Sequence, residues 1–139
     1  MRNKNTLYLD GTSLTVQDTY IAAINRERVE LTAEAKIRIR DCRNKLLEQI
    51  RKNPDQKIYG VNVGVGNLKD TFIDPSEAGS FQEKYIRSHN CGTGDPLPEE
   101  FVRAMMIIRL NSFAHGVSAI SLETVEMLEK MLNLGVIPL

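Results

Sequence analysis

The sequence predicts a mainly α-helical protein that contains one short β-strand and two glycine-rich loops. Three observations predict this class. Apolar residues recur at helical spacing over long segments, helix-capping and helix-breaking residues bound those segments, and clusters of glycine separate them. Apolar residues make up 42% of the chain, which is enough to form a core and excludes wholesale disorder.

Length and charge restrict the class of protein further. The 139 residues fit one domain or a piece of a larger one. The 18 basic residues balance 18 acidic ones, so no net charge attracts nucleic acid or an anionic membrane. No run of 18 apolar residues occurs, and the N-terminus lacks the apolar segment of a secretory signal. We therefore expect a soluble cytoplasmic protein with no nucleic-acid or membrane partner.

The N-terminal third of the chain is predicted to contain the strand and two helices. The stretch TLYLDG alternates weakly between polar and apolar residues and ends in Asp-Gly, which indicates a strand and a turn. Thr15 and Asp18 have the spacing of a capping box ahead of a short helix. A long helix is predicted from Thr32 to about Lys52, and Pro54 excludes its continuation. Its apolar face consists of Ile39, Cys42, Leu46 and Ile50.

Three more helices are predicted downstream. The stretch DPSEAGSFQEKYIRSH indicates a helix that Asp74 caps, and NCGTGDPLP interrupts it. The next helix begins at Pro98 and stops near Gly116. The last helix runs from about Leu122 to Leu134 and ends at Gly135. Its inward positions are Leu122, Val125, Leu128 and Leu132.

The first glycine-rich loop, IYGVNVGVGN, carries Tyr59 beside Gly60, Gly64 and Gly66. It is not a Walker loop, because Asn67 follows Gly66 where lysine is required, and it lacks the full dinucleotide-binding fingerprint. Glycines at these positions let the backbone approach a ligand and let the loop open and close. Tyr59 either packs against the turn or presents its hydroxyl to a ligand. From its local context alone, packing is the favoured interpretation.

The other polar candidates are also ambiguous when each is taken alone. His89 ends a predicted helix, where a histidine often serves only as a favourable charge against the helix dipole. Arg109 and Asn111 lie among apolar residues, where polar groups need partners. Cys42 and Cys91 lack CxxC spacing and the two histidines lack a zinc-binding pattern, so we expect no disulfide and no metal site.

Four motifs taken together are more specific than any single residue. They are YGVNVGVG, FQEKYIRSHNCGTGDPL, VRAMMIIRLNSFAHGVSAIS and MLNLGVIPL. In this order they resemble the N-terminal part of the aromatic amino acid lyases, the family of histidine, tyrosine and phenylalanine ammonia-lyases and related aminomutases. The chain most resembles histidine ammonia-lyase. The resemblance implies that residues 1–139 form a single N-terminal domain, the helical N-terminal segment of the ammonia-lyase fold.

The resemblance assigns roles to the residues of the loop. The family pattern is close to Y-G-x-N-T-G-F-G, and the residues that match it are Tyr59, Gly60, Asn62, Gly64 and Gly66. It implies that Tyr59 is the catalytic base on a mobile inner loop, at about residues 57–73. This base removes the β-proton of an L-amino acid while an electrophilic prosthetic group, 4-methylideneimidazol-5-one (MIO), engages the amine. Val63 and Val65 replace the usual threonine and phenylalanine.

The later motifs add residues for binding and structure. The resemblance implies substrate binding by His89, at the substrate ring, and by Asn62. Gly92 and Gly94 match the same motif as His89, and Ala119 stands where a glycine is usual. The Arg-Leu-Asn of the third motif, which contains Arg109 and Asn111, is mainly structural in the family.

The resemblance also implies that these 139 residues lack the triad from which the family forms MIO. The family forms MIO from an Ala-Ser-Gly triad shortly after the motif that corresponds to LGVIPL, and these 139 residues contain no such triad. We therefore expect that the chain forms no MIO, is inactive alone, and requires a MIO-bearing lyase chain as partner in a homo- or hetero-oligomer. Its substrate would be a small-molecule amino acid.

Two alternatives to that expectation stay open. The chain is an inactive remnant or a structural or regulatory subunit that docks on a full-length lyase, or it is a stand-alone helical module that binds a ligand through Tyr59 and His89. The resemblance does not separate histidine from tyrosine as substrate, or a lyase from an aminomutase.

Overall fold

The computed structural model describes residues 6–138 of the chain. Residues up to Gln49 and from Pro96 onward form one compact unit, and Ile50–Asp95 form a second. In chain order the elements are β1 (Thr6–Leu9), α1 (Val16–Ile24), β2 (Arg28–Leu31), α2 (Ala33–Lys52), α3 (Ala78–His89), α4 (Glu99–Ala114) and α5 (Leu122–Asn133). The predicted mainly helical class is confirmed. Among the described residues, no helix combines the length and apolar character needed to cross a membrane.

The first unit contains a two-stranded parallel sheet where the sequence predicted a single strand. β1 pairs with β2 in a register that places Leu7 opposite Val29 and Leu9 opposite Leu31, and all four side chains are buried. The prediction of one strand was wrong because β2 is only four residues long and charged residues occupy its other positions. Two apolar residues are too few to give a periodic signal.

The capping box predicted at the start of α1 is confirmed. The N–H of Asp18 donates to Thr15 Oγ1 over 3.1 Å, and the N–H of Thr15 donates to the Asp18 carboxylate over 3.4 Å. These bonds satisfy backbone donors that the first turn of a helix leaves without partners. The local sequence therefore sets the start of this helix.

Helices α4 and α5 provide most of the helical core of the first unit. α4 packs against both strands and against α1 and α5. Its buried residues are Arg103, Met106, Ile107, Leu110 and Ala114. The predicted inward face of α5 is confirmed, with Leu122, Val125 and Leu132 buried and Leu128 half-buried against them. α5 ends at Asn133, and Gly135 follows with a φ of 71°, the left-handed conformation that commonly ends a helix.

The turn between α4 and α5 contains a residue with an unfavourable backbone conformation. Ala119 has a φ of 53°, a region that favours glycine because a Cβ crowds the backbone there. Its carbonyl accepts a hydrogen bond from the Arg43 guanidinium over 3.2 Å, which helps to hold this conformation. The backbone at this position thus suits the glycine that the family resemblance implies.

In the second unit, α3 begins later than the sequence predicted. The predicted cap at Asp74 was wrong, because its carboxylate accepts hydrogen bonds from the Ser76 N–H, over 2.8 Å, and the Ser76 hydroxyl. These bonds hold a local turn, and they lower the pKa of Asp74 from its usual value. The helix starts at Ala78 after Glu77, whose side chain makes no capping hydrogen bond.

Candidate active site

The inner tyrosine loop closes on itself through its backbone. Val63 pairs with Phe72 in an isolated antiparallel bridge. The N–H of Gly64 donates to the Thr71 carbonyl, and the N–H of Ile73 donates to the Asn62 carbonyl, each over 3.0 Å. These bonds join the two sides of the loop, so the glycines lie in an ordered hairpin-like structure.

Two of the loop glycines have conformations that other residues adopt at a cost. Gly60 and Gly66 have φ values of 68° and 58°. Gly64 is restricted by space instead, since a Cβ there would lie 2.6 Å from Leu68 Cβ and 2.8 Å from Leu68 O. A side chain at Gly64 would therefore force the loop apart.

Asn62 positions the segment that carries Tyr59. Its Oδ1 accepts a hydrogen bond from the Ile58 N–H over 2.7 Å, and its Nδ2 donates to the Gln56 carbonyl over 2.8 Å. Both side-chain groups thus bind backbone immediately before Tyr59. These contacts give Asn62 a structural role in the loop, and its binding of substrate stays a prediction.

Tyr59 presents its ring to solvent at the head of the loop. Its side chain is largely exposed, with 65% of the residue accessible. The phenolic oxygen accepts a hydrogen bond from the Gly66 N–H over 3.3 Å. The loop therefore offers an exposed phenolic oxygen that accepts one backbone hydrogen bond.

The loop and the first turns of α3 line one cavity within the second unit. This cavity of about 200 Å³ lies between them, lined by residues that include Gly64, Phe72 and Ile73 on the loop and Phe81 and Lys84 on α3.

At the other end of α3, His89 is exposed and its Nδ1 lies 2.9 Å from the Tyr85 carbonyl oxygen and 3.0 Å from Ser88 Oγ. The Tyr85 ring lies beside the imidazole with centroids 4.3 Å apart and planes inclined by 47°. Gly92 and Gly94 follow in open space, and Gly94 has a φ of 94°.

The structure thus places the predicted residues in two groups. Tyr59, Gly60, Asn62, Gly64 and Gly66 are assembled in one hydrogen-bonded loop, and His89, Gly92 and Gly94 follow one another from the end of α3 in the same unit.

Arg109 and Asn111 belong to the other unit. Asn111 accepts from the Gly11 N–H over 3.1 Å and donates to the Gly11 carbonyl over 3.4 Å, which joins α4 to the turn after β1. Arg109 is exposed, and its guanidinium lies 5.8 Å from the centre of the Phe113 ring.

Sequence reasoning missed two residues that the structure makes prominent. Tyr85 contacts His89, and its position four residues earlier on one helix is the signal that could have revealed the pair. Arg103 is 3% exposed and donates to the Leu132 carbonyl over 3.0 Å, while its Nε has no partner among the described residues. Burial lowers the pKa of this guanidinium from its usual value.

Two apolar grooves flank α4 in the first unit. One, of about 650 Å³, is lined largely by apolar side chains that include Met105, Ile108 and Leu128. The other, of about 610 Å³, lies between α1 and α4 and includes Tyr20 and Phe101. Met105, Ile108 and Phe101 are each more than half exposed. Contiguous apolar surface of this kind is typical of a surface that another polypeptide covers.

Comparison with known proteins gives one consistent family. A sequence model of the family described as aromatic amino acid lyase matches residues 14–139. The chain is 42% identical to a histidine ammonia-lyase of Streptococcus sanguinis over 130 residues, which are 94% of this chain and 25% of that protein.

Solved structures agree with this family. The ergothioneine-degrading enzyme ergothionase of Treponema denticola matches with a TM-score of 0.86 and 31% identity, over 94% of this chain and 26% of that one. Tyrosine aminomutase of Streptomyces globisporus matches with a TM-score of 0.84 and 31% identity, over 94% of this chain and 24% of that one. The chain thus spans about a quarter of the length of the relatives it matches.

Proposed function

The chain belongs to the aromatic amino acid lyase family, and from this premise we propose that it supplies the base-bearing N-terminal part of a MIO-dependent ammonia-lyase. The reaction is elimination of ammonia from L-histidine or another L-amino acid with an aromatic ring. The observation that carries the proposal is the closed loop that holds Tyr59 exposed with a backbone donor at its oxygen.

In this proposal the phenolic oxygen of Tyr59 is the base. As the phenolate, Tyr59 accepts the proton from the substrate Cβ, the Cα–N bond breaks, and a double bond forms between Cα and Cβ as ammonia leaves. The Gly66 N–H donates to the Tyr59 oxygen and so positions it in the loop. Asn62 holds the backbone before Tyr59 and so positions the segment that carries it.

The electrophile belongs outside these 139 residues. When present, MIO supplies an electrophilic carbon that engages the substrate amine. The residues of this chain do not fit as the source of MIO, because these 139 residues contain no Ala-Ser-Gly triad. In the proposal a lyase polypeptide that carries Ala-Ser-Gly assembles with this chain.

The exposed grooves beside α4 support such an assembly. Phe101, Met105 and Ile108 are each more than half exposed and give α4 an apolar surface of the kind that another polypeptide often covers. The relatives that match this chain are about four times longer. The part of the family sequence that this chain lacks is therefore large enough to cover that face. We therefore assign the exposed face of α4 that contains Phe101, Met105 and Ile108 to contact with the MIO-bearing polypeptide.

A second candidate function is that of a structural subunit of the same assembly. The observation that favours it is that the Tyr59 hydroxyl and both polar groups of the Asn62 side chain bind the loop itself. In this account the loop serves to fold the second unit, and Tyr59 takes no proton. The two candidates differ in what they expect when the Tyr59 hydroxyl alone is removed.

Purification from the native cell tests the proposed assembly. A tagged chain should co-purify with a lyase polypeptide that carries Ala-Ser-Gly, and the complex should release a product with the ultraviolet absorbance of urocanate or a cinnamate. The isolated chain should release none. If no Ala-Ser-Gly polypeptide co-purifies and no product forms, the proposal is wrong.

A further inference from the structure

The last turn of α3 holds the imidazole of His89 by three contacts. Nδ1 of His89 lies 2.9 Å from the Tyr85 carbonyl oxygen and 3.0 Å from Ser88 Oγ. The Ser88 hydroxyl itself donates to the same Tyr85 carbonyl over 2.7 Å. The Tyr85 ring lies beside the imidazole, with centroids 4.3 Å apart and planes inclined by 47°.

These distances determine which nitrogen of a neutral His89 carries the proton. A carbonyl oxygen only accepts hydrogen bonds, so a contact of 2.9 Å with it requires a proton on Nδ1. With the proton on Nε2 instead, the lone pairs of Nδ1 and of the carbonyl oxygen would face each other and repel. The Ser88 hydroxyl points its proton at the carbonyl, which leaves its own lone pairs toward Nδ1. The arrangement therefore favours the tautomer with Nδ1 protonated.

The orientation of the ring is restricted as well. Phe81, Tyr85 and His89 follow one another at intervals of four residues, and Phe81 stacks on Tyr85 with centroids 6.3 Å apart. Residues at this interval lie one above the other on a helix, so the row limits rotation of the imidazole. His89 is the last member, and its ring is exposed.

We infer that Tyr85 is a positioning residue. Together with Ser88, it holds His89 with Nδ1 protonated and Nε2 free to accept a hydrogen bond. This inference rests on the proposed function, in which His89 lies at the substrate ring. The ligand that suits an acceptor is a ring that carries a hydrogen-bond donor, such as the N–H of an imidazole or the O–H of a phenol. A phenyl ring has no such donor and would leave Nε2 without a partner.

Nitrogen NMR of the 139-residue chain tests this inference without any need for activity. Long-range ¹H–¹⁵N spectra separate protonated from unprotonated ring nitrogens, and they are recorded at a pH where imidazoles are neutral. The chain has only two histidines, so His115→Gln assigns the signals of His89. We expect the protonated signal at Nδ1 and the unprotonated signal at Nε2.

Two variants separate the ring of Tyr85 from its hydroxyl. Tyr85→Leu keeps the backbone carbonyl but removes the ring that limits rotation of the imidazole, so Nδ1 can turn away from that carbonyl. We expect the ratio of the two tautomers to shift toward Nε2–H by roughly five-fold, the effect of losing about one hydrogen bond. Tyr85→Phe keeps the ring and should behave as the wild-type chain does. Each variant is first checked for wild-type helix content by circular dichroism.

A wild-type His89 with its proton on Nε2, or an unchanged ratio in a folded Tyr85→Leu chain, would overturn the inference. The proposed function fails independently, through the absence of a MIO-bearing partner and of product.

Discussion

Replacement of Gly64 by alanine should open the inner tyrosine loop. The new Cβ would lie 2.6 Å from Leu68 Cβ and 2.8 Å from Leu68 O, and one of these contacts is with backbone, which cannot rotate away. Overpacking of this kind costs about 1–3 kcal/mol. The loop is closed by two backbone hydrogen bonds, from Gly64 to Thr71 and from Ile73 to Asn62, each worth about 1 kcal/mol. The clash is therefore as large as the interactions that keep the loop closed.

Hydrogen exchange measures this opening directly. A loss of about 2 kcal/mol corresponds to a roughly 30-fold faster exchange of the amide of Ile73, which donates across the loop. Gly79→Ala is the matched control, because Gly79 lies in α3 and a methyl group added there would have nothing within 4 Å. Alanine at this position should leave the exchange of the loop amides unchanged or slightly slower. If Gly64→Ala left the exchange of the Ile73 amide at the wild-type rate, the description of the loop as closed by these hydrogen bonds would be wrong.

Two further predictions concern the first unit. Ala119→Gly should raise the free energy of unfolding by about 0.5–1 kcal/mol, because relief of the unfavourable φ of 53° outweighs the extra freedom of glycine in the unfolded chain. A lower midpoint of urea unfolding in the variant would contradict this prediction. Asp10 has its pKa lowered to about 2 by the backbone N–H groups of Ser13 and Thr12. It therefore contributes stability that is present above about pH 4 and is lost as the pH falls toward 2, so melting curves should show a shallower acid-induced loss in Asp10→Asn than in wild type.

The fold could be predicted where the signal is local. Thr15 and Asp18 form their capping box within one turn, so the spacing of two residues was sufficient to locate α1. β2 could not be predicted because its four residues become a strand only by pairing with β1. Asp74 shows a local competition that spacing does not decide, since the nearby Ser76 binds the carboxylate that would otherwise be available to cap the helix.

The candidate site divides in the same way. The resemblance singles out Tyr59 and Asn62, but it does not show that the Asn62 side chain binds the backbone of Ile58. That contact depends on how the loop folds back. Tyr85 lies at a helical interval from His89 and was detectable, whereas the burial of Arg103 depends on α5, which lies far along the chain.

The most direct test of the central claim is the turnover number of the assembled, MIO-bearing complex when the Tyr59 hydroxyl is removed. Tyr8→Phe is the control, because Tyr8 is a partly exposed tyrosine on β1 in the other unit. If Tyr59 takes the β-proton, Tyr59→Phe should lower kcat by about 10²–10⁴-fold and Tyr8→Phe should leave it unchanged. A Tyr59→Phe complex that turns over at the wild-type rate would show that this chain does not supply the base.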